Sequence, residues 1–507
     1  MIKYLFIAFV LLFSSASASV AETADAAANA LIVAASRDVA AAQSLDEPGV
    51  ADLMTRLTLI TSARAAVREV LQKHQTTALA VRIALGEIPE LSLESLDAAI
   101  EEARITLAQG ITSCSDRRAC VLNLAEGIAN DLGDFKSQSQ AFASIAIGLR
   151  DAARAPALIS FIESRSTLSQ SQLDYQTAKL LLEIAHVLAI DGQVETAVSV
   201  VESIPESERS FMLRMFATFL LDLDNFDAAA RLVDHPSLSV SDRDELAGDL
   251  MIFNARIGDA DATVYWLERM GVSADFQLKE AAEAASLSGD ASLSSFIIAA
   301  MPAGLHKMSA EIWAAGAARD IHRLRTLVDE ISTLDTTAKE NMSINLAAQF
   351  YFLGDNAMGD HLSQLANKQD DVQRKLVDLY IQTDQIGSAI DAAEKSGSQL
   401  DTAIAAISVG ILAMDGLAAA EQFIENQGSP VYSLTQVFDS LKAKGRLAEA
   451  VEFGESDSYL ADRAIYLSAI DVDRHDTLEA ELLRVLGIRD RKIMVGALAA
   501  LAYKFDL

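Results

Sequence analysis

The side chains able to do chemistry are few, and the first to weigh are Cys114 and Cys120, in Thr112-Ser113-Cys114-Ser115-Asp116-Arg117-Arg118-Ala119-Cys120. In a chain that carries an export leader, an even cysteine count favours pairing, and the polar residues between them read as a loop joining two helices. So short a loop closes cheaply, which limits the stabilisation to about 2–3 kcal/mol. Five intervening residues are not the Cys-x-x-Cys of oxidoreductases, although a redox-active pair is the other reading. No further thiol or histidine flanks the two to complete a zinc site.

The seven histidines, His74, His186, His235, His306, His322, His361 and His475, never stand four apart, and His-Glu-x-x-His is absent. Each is read as a surface or satisfied core residue. No Gly-x-Ser-x-Gly elbow, Ser-x-x-Lys pair or glycine-rich phosphate cradle occurs. Asp222-Leu223-Asp224-Asn225-Phe226-Asp227 has the look of a calcium loop, but Asp227 stands where that loop needs glycine, and no glutamate closes it. Asn341-Met342-Ser343 forms a glycosylation sequon inside a predicted helix, without meaning beside a bacterial-type leader. Catalytic, cofactor-binding and metal-binding residues are therefore all expected to be absent.

The elements that would have to position any site repeat about every thirty residues. Turn-opening residues stand at Gly192, Asp224, Gly258, Gly289, Arg319, Gly354, Asp384, Asp415 and Gly445, spaced 30 to 35 apart. Two residues on comes an apolar side chain, as in Val194, Phe226, Ile321, Ile386, Leu417 and Leu447, and five on a small one, as in Ala197, Ala229, Ala389, Ala420 and Ala450. Glycine, Asp and Asn tolerate the turn, the apolar residue packs back on the previous helix, and the small one lets two backbones approach. Pro205, Pro236 and Pro302 fall where the second helix of a unit must stop. A fixed period of this length predicts a solenoid of helix pairs.

Composition agrees. Aromatic residues make up 6% of the chain and prolines number 7, and the β-branched alternation of strands is nearly absent. The opening residues read as a secretory leader: Lys3, an apolar run from Tyr4 to Phe13, and small residues from Ser14 to Ala21, with cleavage expected after Ala21 and Ala18 as second choice. Its run is too short for a membrane span, and no later segment reaches the ~20 uninterrupted apolar residues one needs. Formal charge is −31 for 41 basic and 72 acidic residues, which disfavours nucleic acid and anionic lipid as partners. The acids either solvate outward helix faces or line a groove for a basic peptide.

From about 190 to 480 the units resemble the tetratricopeptide (TPR) family, whose second helix commonly begins Gly-Asp-aromatic-x-x-Ala. Gly192 to Ala197 and Gly445 to Ala450 match best. Gly258-Asp259, Gly289-Asp290 and Gly354-Asp355 keep the turn and lose the aromatic residue. The resemblance implies a right-handed all-α solenoid of antiparallel helix pairs with atypical helical caps. The first-helix Trp/Gly/Tyr pattern is missing, and HEAT-like packing or the helical ring of certain bacterial envelope proteins are the alternatives.

The expected organisation is a leader over 1–21, a helical region with one disulfide over 22–135, the solenoid over 136–480, and a capping helix over 481–507. Within the second segment, Leu53 to Leu71 has helical spacing and Ser92 is a predicted N-cap. Ile493 to Tyr503 is predicted to dock on the preceding acidic repeat, with an amphipathic membrane helix as the alternative. On the concave face, Arg214, Asn254, Arg256, Trp313, Gln349, Tyr351, Arg374 and Tyr380 are of interface-enriched types.

These features describe a periplasmic, non-enzymatic scaffold that binds a protein or peptide partner through its repeats, in envelope assembly. The alternative is a cell-wall-active enzyme, or its regulator, related to the superhelical domains of lytic transglycosylases. In that case Glu455, in Gly454-Glu455-Ser456, is the acid to test.

Overall fold

The computed structural model describes residues 24–45, 49–271, 275–471 and 477–504. The expected leader, the expected turn at Asp46 to Pro48 and His475 lie outside these residues. Every regular element among the described residues is helical, and the chain parts into two compact units, Met1–Leu149 with Val472–Leu507, and Arg150–Asp471.

The first unit opens with α1 (24–43), α2 (Val50–Lys73), α3 (Ala78–Ala84), α4 (Leu93–Thr112), α5 (Arg117–Asn130) and α6 (Phe135–Gly148). Ser92 caps α4 by accepting from the Ser95 amide at 3.1 Å. A disulfide joins Cys114, just past the end of α4, to Cys120 in the first turn of α5. Replacing both cysteines by serine should cost the unit about 2–3 kcal/mol, read as a lower denaturation midpoint, with the second unit's transition unmoved.

The second unit begins with α7 (Ala155–Glu163) and continues as nine helix pairs. The pairs are α8 (Gln170–Ile190) with α9 (Val194–Glu202), α10 (Glu206–Asp222) with α11 (Phe226–Leu232), and α12 (Val240–Ile257) with α13 (Ala260–Arg269). Next come α14 (Asp275–Leu287) with α15 (Ala291–Ala300), α16 (Leu305–Ala317) with α17 (Ile321–Ile331), and α18 (Thr336–Phe352) with α19 (Asn356–Ala366). The last are α20 (Gln369–Gln382) with α21 (Ile386–Ala393), α22 (Leu400–Met414) with α23 (Leu417–Asn426), and α24 (Val431–Ala443) with α25 (Leu447–Glu455), followed by α26 (Ala461–Ile470).

The turn inside eight of the nine pairs has one geometry. Gly192, Asp224, Gly258, Gly289, Arg319, Gly354, Asp384 and Gly445 all lie in the left-handed region, at φ between 56° and 86°. These eight are the turn residues expected from sequence; in the remaining pair Asp415 is right-handed, Gly416 takes φ 88° and ψ −178°, and the Gly416 amide itself donates to the Ile411 carbonyl at 3.2 Å. In the eight, the amide that follows donates back to a carbonyl five residues earlier, as from Gln193 to Leu188 and from Asp320 to Ala315, both at 2.8 Å. This six-to-one bond closes a helix end in the Schellman manner. Where the next residue is aspartate, its carboxylate caps the second helix: Asp259, Asp290, Asp320 and Asp355 each accept an amide of the first turn.

Arg319 holds this left-handed position with a Cβ, which costs about 1 kcal/mol against glycine. Arg319→Gly should therefore stabilise the second unit by roughly 0.5–1 kcal/mol in thermal unfolding.

Consecutive first helices, α8 through α24, pack along one another, whereas consecutive second helices pack far less closely on each other. The tighter layer is the inner one, so the first helices form the concave face. Ala197, Ala229, Ala389, Ala420 and Ala450 have no exposed surface, because at these positions the second helix of a pair approaches the first. Segment Gly397–Met414 has the length and apolarity of a membrane span; here it forms a single 3-10 turn followed by α22, with Ala403, Ile407 and Leu412 in the core.

The two ends of the second unit meet. Arg150 donates through Nε to Asp191 Oδ2 and through Nη2 to the Ile470 carbonyl, each at 2.8 Å. Leu223, in the turn after α10, lies beside Gly445, in the turn after α24. The array thus closes on itself.

The chain ends in α27 (Leu478–Val485) and α28 (Arg491–Lys504), and α28 packs along both α5 and α6. Every residue from Met494 to Ala502 is buried. This corrects the expectation that the helix caps the preceding repeat, and it removes the amphipathic reading. A helix apolar all round needs partners on several sides, which the α5–α6 pair supplies and one end of an array does not. A Cβ on Gly148 would stand 2.6 Å from the Gly496 carbonyl oxygen, so the crossing depends on glycine. Gly148→Ala should destabilise the first unit by about 1–3 kcal/mol in urea denaturation, because backbone must move.

Candidate functional site

Within the second unit, the face built by α14, α16, α18 and α20 carries its polar side chains at helical spacing. Lys279 and Glu283, Ser309 and Trp313, Asn341 and Asn345, and Arg374 and Asp378 are each four apart, so each pair shares one face of its helix. With Lys375, Lys368, Asp371, Ile344 and Gln399 they line an open cavity of 440 Å³. Counting back from the turn residue, Lys279, Ser309, Ile344 and Arg374 all stand ten before it, and Glu283, Trp313 and Asp378 six before it. The repeat itself therefore places them in register.

The cavity wall centres on Glu283, whose side chain keeps 13% of its surface. Ser309 Oγ donates to Glu283 Oε1 at 3.1 Å, and Asn345 Nδ2 donates to that hydroxyl at 3.5 Å. Lys279 Nζ stands 3.7 Å from Glu283 Oε2 and 2.6 Å from Glu280 Oε1. Burial raises the Glu283 carboxyl to about 7, against the pull of Lys279. Arg374 pairs with Asp378 along α20.

A second cavity of 400 Å³ meets the first at Arg374 and Asp378 and is far less polar. It is lined by Ile381, Ala405, Ala406, Val409, Gly410 and Ala413, with Tyr432 and Gln436 at its border. A third, of 420 Å³, adds Ile252 and Arg256 of α12 to the Lys279, Glu283 and Lys375 side.

Of the concave-face candidates read from sequence, Trp313, Arg374 and Arg256 line these cavities. Arg214 turns to Asp242 and Glu245 instead, the latter at 3.0 Å. Asn254 is buried and donates to the Leu250 carbonyl. Gln349 is buried where Gly316 makes room for it. Tyr351 donates to Asp360 at 2.6 Å, and Tyr380 packs beside Phe352. Lys279, Glu283, Ser309, Asn345 and Lys375 went unselected, because polar residues on a helix look like ordinary surface until the inward face is known.

Other chemistry-bearing residues are dispersed. Half-buried His186 lies tilted against Phe219, ring centres 4.1 Å apart, and burial lowers its pKa to about 4. His235 hydrogen-bonds Glu202 at 2.9 Å, and His306 meets the Phe276 ring edge-on. The calcium-like Asp222–Asp227 segment is one of the repeat turns, with Asp224 at its left-handed position. Among the described residues no three His, Cys, Asp or Glu side chains are grouped to hold a metal ion.

Nine stacked helix pairs, eight of them with one turn geometry, settle the architecture. The chain is a degenerate helical-repeat protein. No family model matches it, and no curated protein does. Among solved structures it is similar to a "circular tandem repeat protein with novel repeat topology and enhanced subunit contact surfaces", at 13% identity over 95% of this chain and 97% of that one, with a TM-score of 0.12. So slight a likeness transfers no geometry, and the closure of this repeat protein rests on its own Arg150 contacts.

Proposed function

We propose that this helical-repeat protein is an exported, periplasmic scaffold without catalytic activity, and that it holds a protein or peptide partner along its first helices. The observation that carries the reading is the inner face itself: side chains of α14, α16 and α20 set at the same two positions before each turn, around open, adjoining cavities, on a fold whose units stack into one continuous surface. The leader from Lys3 to Ala21 supports the periplasmic placement. The acidic excess is not concentrated in the groove. The first and third cavities together are lined by five cations and four carboxylates, against 41 and 72 in the whole chain. An acidic groove for a basic peptide is thereby set aside.

A photoreactive residue at Asn341, exposed beside the first cavity, should crosslink a defined partner in intact cells, and one at Thr326 on the outer helix α17 should not. Equal labelling from both positions would remove the concave face from the reading. Cell fractionation should recover the mature chain with periplasmic markers. Peptidoglycan release by the purified chain, lost in Glu455→Gln, would replace the scaffold with an enzyme.

A further inference from the structure

We propose that the first two cavities form one site for a carboxylate carried on an apolar body, such as the carboxyl-terminal end of a peptide with an apolar last residue. The inference deepens the reading above and rests on its use of the concave face. Three observations point to this class of ligand.

The first is charge. In a chain of net charge −31, the polar cavity gathers Lys279, Lys368, Arg374 and Lys375 against three carboxylates. Lys279 and Arg374 are answered by Glu280, Glu283 and Asp378. Among the described residues Lys368 and Lys375 have no ion-pair partner, although acids outnumber bases throughout the sequence. Glu283, which lines the same cavity as Lys375, is engaged instead by Lys279 at 3.7 Å and by the Ser309 hydroxyl. Ammonium groups left unanswered beside a cavity recognise an oxyanion through charge-assisted hydrogen bonds.

The second is polarity. The adjoining cavity changes from charged to apolar at Arg374 and Asp378, and its wall of Ile381, Val409 and Ala413 offers burial to a hydrocarbon group at about 25 cal/mol per Å². A free inorganic anion would use the first cavity and leave the second empty. The third is size. Cavities of 440 and 400 Å³ each fall in the range that accepts a small ligand or a few residues of a peptide.

Trp313 lines the polar cavity, and the chain has only one other tryptophan, Trp266. In the full-length chain carrying Trp266→Phe, emission from Trp313 therefore reports occupancy. The titrants are acetyl-Ala-Ala-Leu with a free carboxylate, the same peptide as its amide, octanoate, and sodium phosphate, all at matched ionic strength. The peptide acid is expected to bind at least tenfold more tightly than its amide, and more tightly than phosphate. Lys375→Gln and Lys368→Gln should each weaken the acid roughly tenfold, the effect of losing one charge-assisted bond. Lys73→Gln, on α2, should leave it unchanged, and circular dichroism checks that each variant is folded.

Octanoate outcompeting the peptide acid would keep the site and assign it to a fatty carboxylate. Equal affinity for acid and amide, or equal losses in Lys73→Gln and Lys375→Gln, would overturn the proposal. Because these titrations need no cellular partner, their failure is distinct from a failure of the crosslinking at Asn341.

Discussion

Arg150→Met should destabilise the Arg150–Asp471 unit by about 3–5 kcal/mol, the usual cost of removing one partner from a buried ion pair. The side chains of Arg150 and Asp191 keep only 1% and 2% of their surface, and the guanidinium also satisfies the Ile470 carbonyl. Methionine fills much of the volume but leaves the Asp191 carboxylate and that carbonyl without this donor. Arg150→Lys should recover little, because one ammonium cannot reproduce the two-pronged geometry. The measurement is native-state hydrogen exchange. Amides at the ends of α8 and α26 should lose protection together, because the same side chain reaches both, whereas α16 and α18 should lose less. Uniform loss throughout the unit would show that Arg150 matters to global stability without acting as a clasp between the ends. Combining Arg150→Met with Asp191→Leu should restore much of the stability, since an apolar pair carries no orphaned charge.

Glu283→Gln should flatten a pH dependence of about 2–3 kcal/mol in the stability of the same unit. The sign follows from the direction of the shift. Burial raises the Glu283 carboxyl from 4.5 to about 7, so between those values the folded chain holds a proton that the unfolded chain has released. Stability must then fall as pH rises from about 4.5 to 7 and level off above, and about 2.5 pKa units correspond to roughly 3 kcal/mol as an upper bound. Lys279 and Lys375 pull the pKa down, Glu280 pushes it up, and Ser309 donates to the ionised form. Glutamine keeps the shape and removes the proton, so the difference between wild type and variant isolates this residue from Asp222 and Asp249, whose pKa values burial also raises. Denaturation midpoints at pH 5 and 8 suffice. An unchanged slope in the variant would assign the pH dependence to other carboxylates.

The helix pairs could be read from the chain because their determinant is local. A left-handed turn needs Gly or a tolerant Asp or Asn, and a small residue five positions on follows from backbone approach. Even there one marker slipped, since Asp415 precedes Gly416 and either residue type can open a turn. The inner face was only partly legible. Trp313 and Arg374 stood out by residue type, whereas Lys279, Glu283 and Ser309 become recognisable only when positions ten and six before each turn are known to point inward. The clasp was illegible, because Arg150 and Ile470 are 320 residues apart and no pattern in either segment names the other. The placement of α28 failed for a related reason. An Ala- and Leu-rich helix declares that it is buried without declaring against what.

That placement has a consequence in time. The apolar surfaces of α5 and α6 are completed by a helix translated after all of the residues from Arg150 to Asp471. At 5–20 residues per second the wait is on the order of tens of seconds. The repeat array holds its own partners and can assemble as it emerges, but α5 and α6 must stay soluble with the apolar surface that α28 covers still open. Holdase chaperones should therefore grip the nascent chain around Arg117–Gly148, and a ribosome stalled before α28 should leave that region the preferred target of proteases.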